Sequence, residues 1–174
     1  DYTSNRMSIR PEQLVERIQY KQTGGLVVFT GGEPLRQNIG IATKLLYRLG
    51  YTVQIETNGM LYRDDMEYNG LTIVCSPKSP IIHEKLQPLI RAVKYVVQAG
   101  FIDVDGLPTR TLGNPWRVGR MKPCYKAYGA ETYVQPLDQQ DPVLNKNNLN
   151  AALDSCFKFG YRMSIQTHKL MGVQ

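Results

Sequence analysis

The chain has little cysteine: only Cys75, Cys124 and Cys156 occur in 174 residues, and they lie far apart in the sequence. This spacing excludes a short cysteine-rich metal motif within these residues, and it provides no disulfide framework. No apolar run approaches the roughly 20 residues that cross a bilayer, and no secretory signal is visible. We therefore expect a cytoplasmic protein without a membrane segment, and we assign no metal ligand.

The composition that remains is that of an ordinary globular domain. Hydrophobic residues make up 42% of the chain and the formal net charge is +6. We expect residues 1–174 to form a single domain with a buried core. Between Gly106 and Ala130 there are five basic residues, no acidic ones and three interleaved aromatics, a pattern found on single-strand nucleic-acid surfaces. The simpler interpretation is a solvated loop, which we favour, so nucleic-acid contact is not expected.

Apolar patterning predicts alternating strands and helices. Helices are predicted over 11–21, 39–49 and 147–159, with at best a short one over 83–90. Strands are predicted over 26–30, 52–56, 71–75, 91–97, 132–135 and 161–166. Strands that alternate with helices imply right-handed crossovers, a parallel sheet and the α/β class.

The most informative motif is Thr30-Gly31-Gly32-Glu33-Pro34, which follows the apolar run Leu26–Phe29. Two glycines and a carboxylate at the carboxyl end of a buried strand stand where parallel α/β folds place ligands. Glycine admits close approach to the main chain, and the carboxylate can accept hydrogen bonds from a cation or a hydroxyl. Taken alone, the motif also fits an ordinary tight turn.

The same arrangement, an apolar run that ends in small and polar residues, recurs along the chain. The segments are Gln54–Gly59, Cys75–Lys78, Tyr133–Asp138 and Arg162–Lys169. In this order and spacing they resemble the radical S-adenosylmethionine (SAM) enzymes, and within them the 7-carboxy-7-deazaguanine synthase family. Ser76-Pro77-Lys78 and Gln166-Thr167-His168-Lys169 carry the more specific resemblance. The resemblance implies an incomplete parallel (βα)6-type partial barrel and ring contraction of 6-carboxy-5,6,7,8-tetrahydropterin, a small-molecule pterin, in queuosine-type 7-deazapurine synthesis.

The resemblance also implies roles for individual residues. The expected SAM-binding residues are Gly31, Gly32, Glu33, Glu56, Asn58, Gly59, Ser76, Pro77, Lys78, Gln135, Pro136, Leu137 and Asp138. The expected substrate-binding residues are Thr57, Gln166, His168 and Gln174, the last through its α-carboxylate. Isolated residues of these types are more often structural, and we interpret His83, outside every motif, as structural.

One departure from the superfamily concerns its [4Fe–4S] cluster, which three closely spaced cysteines hold in most members. Cys75, Cys124 and Cys156 cannot be such a triplet, and we interpret Cys75 and Cys156 as small core residues. The start, Asp1-Tyr2-Thr3-Ser4, resembles family sequence just after the cluster loop, so we expect the first strand and the cluster ligands upstream of the 174 residues. The resemblance further implies Mg²⁺, an electron donor such as flavodoxin, and a homodimer.

Two other functions stay open. A related radical SAM activase or ligand-binding scaffold would share the first motif, although the Ser-Pro-Lys and Gln-Thr-His-Lys elements argue against an activase. A cluster-free regulatory or binding protein of the same fold would bind SAM, pterin or a partner without turnover.

Overall fold

The computed structural model describes residues 9–110 and 129–167, and the chain divides into two compact units. The described residues up to Glu56, together with Arg63–Thr72, form the first unit. The second unit contains Thr57–Tyr62 and the described residues from Ile73 onward. Six strands in the described residues belong to one sheet, and their order across the sheet is the same as their order in the chain. The predicted parallel α/β fold is therefore confirmed, while its assignment to a single domain stays a prediction.

In the first unit, helix α1 (Pro11–Lys21), strand β1 (Leu26–Phe29), helix α2 (Gly40–Arg48) and strand β2 (Thr52–Thr57) follow one another. Strands β1 and β2 pair in parallel, from Leu26 opposite Thr52 to Phe29 opposite Ile55. Helix α1 starts at a proline, whose fixed φ and missing N–H suit the first helical position.

The core of the first unit forms where these helices pack on the strands. Val15 of α1 and Leu46 of α2 meet Val53 of β2 and Tyr51, and each is at most 4% exposed. Burying apolar side chains of this size stabilises a fold by about 1.5–3 kcal/mol each. This core holds the two strands parallel, so that their carboxyl ends share one edge.

The second unit contains strands β4 (Ile90–Val97), β5 (Glu131–Pro136) and β6 (Arg162–Met163). It also contains strand β3 (Leu71–Cys75) from Ile73 onward. Strand β3 pairs in parallel with β4, β4 with β5, and β5 with β6. Helix α3 (Pro142–Phe159) connects β5 to β6. The carboxyl ends of these strands therefore lie at one edge, as the sequence predicts.

The structure corrects several predicted boundaries. Helix α3 begins at Pro142 rather than at 147, because the Asp141 carboxylate caps it by accepting from the Val143 and Leu144 N–H groups, and proline suits the first position. Strand β6 ends at Met163 rather than at 166, since only two of its residues pair with β5. The segment predicted as a short helix over 83–90 contains the 3-10 helix Gln87–Leu89. Within the described residues, none of the helices is long and apolar enough to span a membrane.

The cap of α3 can be tested by replacing Asp141 with alanine. We expect the free energy of unfolding to fall by about 1 kcal/mol, because the Val143 and Leu144 N–H groups lose their acceptor. The matched control is Asp154→Ala, an exposed aspartate in the interior of the same helix, for which we expect a change within about 0.5 kcal/mol. Urea denaturation of the three proteins measures both values, and equal losses would contradict the capping role.

Candidate functional site

Open backbone and a buried carboxylate follow strand β1. Gly31 has φ +113°, and a Cβ added at either Gly31 or Gly32 would meet nothing within 4 Å. Glu33 is 8% exposed. Its Oε1 accepts from the Leu35 N–H at 3.1 Å, which caps the 3-10 helix Pro34–Arg36. The predicted ligand motif is therefore a turn with free space beside its glycines and a carboxylate held in place.

Glu56 is at the same edge of the first unit, because Phe29 of β1 pairs with Ile55 of β2. The Glu56 side chain is half-buried, and its Oε1 accepts from Gln54 Nε2 at 3.2 Å. Gln54 and Glu56 are two residues apart on one strand, so their side chains point to the same face. This hydrogen bond orients the carboxylate at the strand end.

In the second unit, the turn after β2 is held by its own side chains. Thr57 is 2% exposed, and its Oγ1 accepts from the Gly59 N–H at 3.1 Å. Asn58 Oδ1 accepts from the Met60 N–H at 2.9 Å. The Ser76 N–H donates to the Thr57 carbonyl at 2.8 Å, which brings two predicted site segments together. Thr57 therefore shapes the main chain of the turn, a function that the sequence analysis did not identify.

Gly59 sits where a side chain would collide with the protein itself. Its φ is +82°, and an added Cβ would lie 2.6 Å from Cys75 Sγ and 3.4 Å from Ile82 Cγ2. Its carbonyl accepts from the His83 N–H at 2.8 Å. The structure thus supplies a packing reason for glycine at this position, and the predicted contact between Gly59 and the cofactor stays a prediction.

The three residues after β3 differ in exposure. Ser76 is half-buried, Pro77 is buried and Lys78 is exposed. The half-buried hydroxyl can form a hydrogen bond with a hydroxyl of a ligand. The exposed ammonium, two residues away, can bind a carboxylate of the same ligand. His83, interpreted as structural, stacks on Tyr62 with ring centroids 5.6 Å apart, and its Nδ1 accepts from the Lys85 N–H at 3.2 Å.

All four residues of the segment Gln135–Asp138 are half-buried, and helix α3 holds the end of the segment. The Leu137 N–H donates to the Val97 carbonyl at 2.9 Å, which extends the pairing of β4 and β5. Asn145 Nδ2 donates to Asp138 Oδ1, and Asn148 Nδ2 donates to the Leu137 carbonyl. Neither asparagine was predicted to have a role. Asn148 gave one signal, since asparagine is a weak helix former and this one lies within the helix predicted over 147–159.

The remaining predicted residues lie near or beyond the end of the described chain. Gln166 is half-buried and follows β6, where the Ser164 N–H donates to the Val134 carbonyl at 2.8 Å. His168 and Gln174 lie outside the described residues, as do Cys124 and most of the basic loop 106–130. Their predicted roles stay predictions.

The described cysteines do not fit an iron–sulfur cluster. Cys75 is fully buried under Gly59, as predicted for a core residue. Cys156 is half-buried and not the core residue that was predicted, and this partial burial raises the pKa of its thiol. Within residues 9–110 and 129–167, no group of three or more His, Cys, Asp or Glu side chains could hold a metal ion.

Comparison with known proteins identifies clear relatives, although no protein-family model matches the chain. The chain is 42% identical over 155 residues to the 7-carboxy-7-deazaguanine synthase of Rhodospirillum rubrum, covering 85% of this chain and 65% of that protein. It is 38% identical over 158 residues to the synthase of Rickettsia prowazekii, covering 88% of this chain and 61% of that protein. The chain therefore spans less than two thirds of the length of these two relatives.

A solved structure shows the same fold. The crystal structure of QueE from Escherichia coli superposes with a TM-score of 0.61 over 91% of this chain and 64% of that chain. The sequence identity is 23%, so this likeness concerns the fold alone.

The contact between Gly59 and Cys75 predicts how the second unit responds to substitution. We expect Gly59→Ala to lower the free energy of unfolding by about 3 kcal/mol, from backbone strain and from displacement of Cys75. The control is Gly100→Ala, where φ is +79° and nothing lies within 4 Å of an added Cβ, so that strain alone costs about 1 kcal/mol.

Urea denaturation measures the free energy of unfolding of both glycine variants. Adding Cys75→Ala to the Gly59→Ala protein removes the colliding sulfur, so the two substitutions together should cost less than the sum of their separate losses. Equal losses for the two glycine variants, or strict additivity with Cys75→Ala, would refute the packing explanation.

Proposed function

We propose that the chain belongs to the 7-carboxy-7-deazaguanine synthase family and that its protein converts 6-carboxy-5,6,7,8-tetrahydropterin into 7-carboxy-7-deazaguanine and ammonia. The 42% identity to the Rhodospirillum rubrum synthase carries this proposal. The parallel sheet, with polar residues at the carboxyl ends of its strands, agrees with it. The product would feed queuosine-type 7-deazapurine synthesis.

We propose that the turn after β1 receives the methionine part of SAM. Free space beside Gly31 and Gly32 leaves their main chain accessible to a ligand, and Glu33 is a buried carboxylate that can face an ammonium group. Glu56 contributes a second oriented carboxylate. When bound, SAM supplies the hydrogen-abstracting chemistry that acts at C6 of the substrate, while the protein orients it and excludes water.

We assign the ribose and carboxylate of SAM to residues of the second unit. Support comes from the half-buried Ser76 hydroxyl, the exposed Lys78 cation and the buried Pro77 that spaces them. Asn58 and Gly59 form the tight turn beside Ser76, since the Thr57 carbonyl accepts from the Ser76 N–H. By the family resemblance, Gln135, Pro136, Leu137 and Asp138 would border the adenosine, and the bonds from α3 to Leu137 and Asp138 hold the end of that segment.

The finer assignments rest on the family resemblance. Thr57, Gln166, His168 and Gln174 would bind the pterin, and Mg²⁺ would bridge substrate and protein at a ligand that we do not assign. No step is assigned to Cys75 or Cys156, because they lie far apart in the sequence and belong to no group of three or more metal-ligating side chains in the described residues. An electron donor such as flavodoxin, a homodimeric state and a cytoplasmic location complete the proposal.

Turnover by the protein expressed from its natural gene tests the reaction. The protein is purified without oxygen, supplied with iron, sulfide, Mg²⁺ and a reductant, and incubated with SAM and the carboxytetrahydropterin. We expect 7-carboxy-7-deazaguanine by mass spectrometry, one ammonia for each product, and no net loss of SAM. Binding of SAM or pterin without product would refute the reaction and favour the cluster-free binding protein.

Replacing Lys78 tests the residue assignment. We expect Lys78→Ala to raise the KM for SAM about tenfold, because a charge-assisted hydrogen bond to the carboxylate is lost. The KM for the pterin should stay within about twofold of its original value, which corresponds to a free-energy change well below that of one hydrogen bond. The control is Lys146→Ala, an exposed lysine on α3 outside the site. A rise in the KM for SAM of similar size in both variants would contradict the role of Lys78.

A further inference from the structure

Asn148 is a buried amide in the middle of helix α3. It is 1% exposed, and both ends of its amide are bonded to the main chain of neighbouring segments. Its Nδ2 donates to the Leu137 carbonyl at 2.8 Å and to Gln139 Oε1 at 2.9 Å. Its Oδ1 accepts from the Ala99 N–H at 2.9 Å. Both donor positions and the oxygen are therefore in use.

Asn145, three residues earlier on the same face of α3, extends this network. Its Oδ1 accepts from the Gln139 N–H at 2.8 Å, and its Nδ2 donates to Asp138 Oδ1 at 2.9 Å. Asp138 Oδ1 also accepts from the Gln140 N–H at 3.0 Å. Two asparagines one helical turn apart thus bond three consecutive residues after β5, namely Leu137, Asp138 and Gln139.

The network joins the carboxyl ends of two neighbouring strands. Val97 of β4 pairs with Pro136 of β5, and the Leu137 N–H donates to the Val97 carbonyl one residue beyond the strand. Just beyond these strand ends, Asn148 bonds both the Ala99 N–H and the Leu137 carbonyl. An apolar side chain could fill the same space but would make neither hydrogen bond.

We infer that Asn148 is a positioning residue for the cofactor site: it fixes the conformation in which Leu137 and Asp138 border the adenosine of SAM. This inference rests on the proposed function, because that proposal places the adenosine beside these residues. The amide of Asn148 is already bonded to Ala99, Leu137 and Gln139, so it acts through the segment that it holds.

The test is Asn148→Asp, which keeps the size and the acceptor but replaces the amide donors. The new carboxylate would face the Leu137 carbonyl and Gln139 Oε1, both of which are acceptors. At about pH 8 we expect the dissociation constant for SAM to rise about tenfold relative to the unsubstituted protein. We also expect faster amide hydrogen exchange over residues 137–140, with β4 unchanged.

The variant should also acquire a pH dependence, which would show that the ionised form of the new carboxyl causes the loss of SAM affinity. Burial, the two facing acceptors and the negative charge of Asp138 all disfavour the ionised form, so they raise the pKa of the new carboxyl. Below that raised pKa the neutral carboxyl donates one hydrogen bond. The affinity ratio between the variant and the unsubstituted protein should therefore recover toward one at about pH 5.

Two controls accompany the test. Asn147→Asp adds the same charge at an exposed neighbouring position of α3, and Ser155→Ala removes a buried hydrogen bond from the same helix, to the Ala151 carbonyl. Both should leave the dissociation constant for SAM unchanged. If Asn148→Asp fails to fold, the half-buried Asn145→Ala removes the bonds to Asp138 and Gln139, and it should weaken SAM binding in the same direction.

The outcomes separate this inference from the proposed reaction. An unchanged SAM affinity in Asn148→Asp, or in Asn145→Ala where the first variant does not fold, overturns the positioning role even when turnover is normal. A loss of affinity that is equal at both pH values, or equal in Asn147→Asp, overturns it as well. These measurements follow SAM binding and not pterin turnover. A protein that binds SAM but forms no product would therefore refute the proposed reaction without refuting the positioning role of Asn148.

Discussion

The structure depends on how the main chain finds hydrogen-bond partners where parallel strands end. Parallel pairing brings the carboxyl ends of neighbouring strands to one edge, where the ladder stops and backbone N–H and C=O groups lose their partners. At several of these turns, side chains supply the hydrogen-bond partners. Glu33 caps the short helix after β1, Thr57 Oγ1 accepts from the Gly59 N–H, and Asn148 serves Ala99 and Leu137.

This constraint gives the edge both its shape and its capacity to bind. Polar groups of these turns are bonded within the protein. In the first unit open space remains beside Gly31 and Gly32, and in the second unit the Lys78 cation is exposed. A ligand that binds such an edge meets groups that are already oriented, which lowers the entropic cost of binding. Residues that only position others, such as Asn148, therefore matter as much as residues that touch the ligand.

Sequence patterning predicted the parts of the fold that depend on local signals. Strand β3 was placed at its observed bounds, because an apolar run lies there between Gly70 and Ser76-Pro77. Helix α3 was predicted five residues too short, since Asp141-Pro142 was not recognised as a cap and first turn. The length of β6 depends on its pairing with β5, which its own sequence does not determine. The role of Asn148 could not be predicted, because its contact with Ala99 joins residues 49 apart in the chain.

The most direct test of the site is amide hydrogen exchange of the protein, expressed from its natural gene, with and without SAM. We expect slower exchange in the presence of SAM over the four strand-end segments: 30–33, 57–60, 76–78 and 135–139. Protection of these segments would place the ligand at the carboxyl edge of the strands. Protection confined to other segments, or none at saturating SAM, would contradict the account.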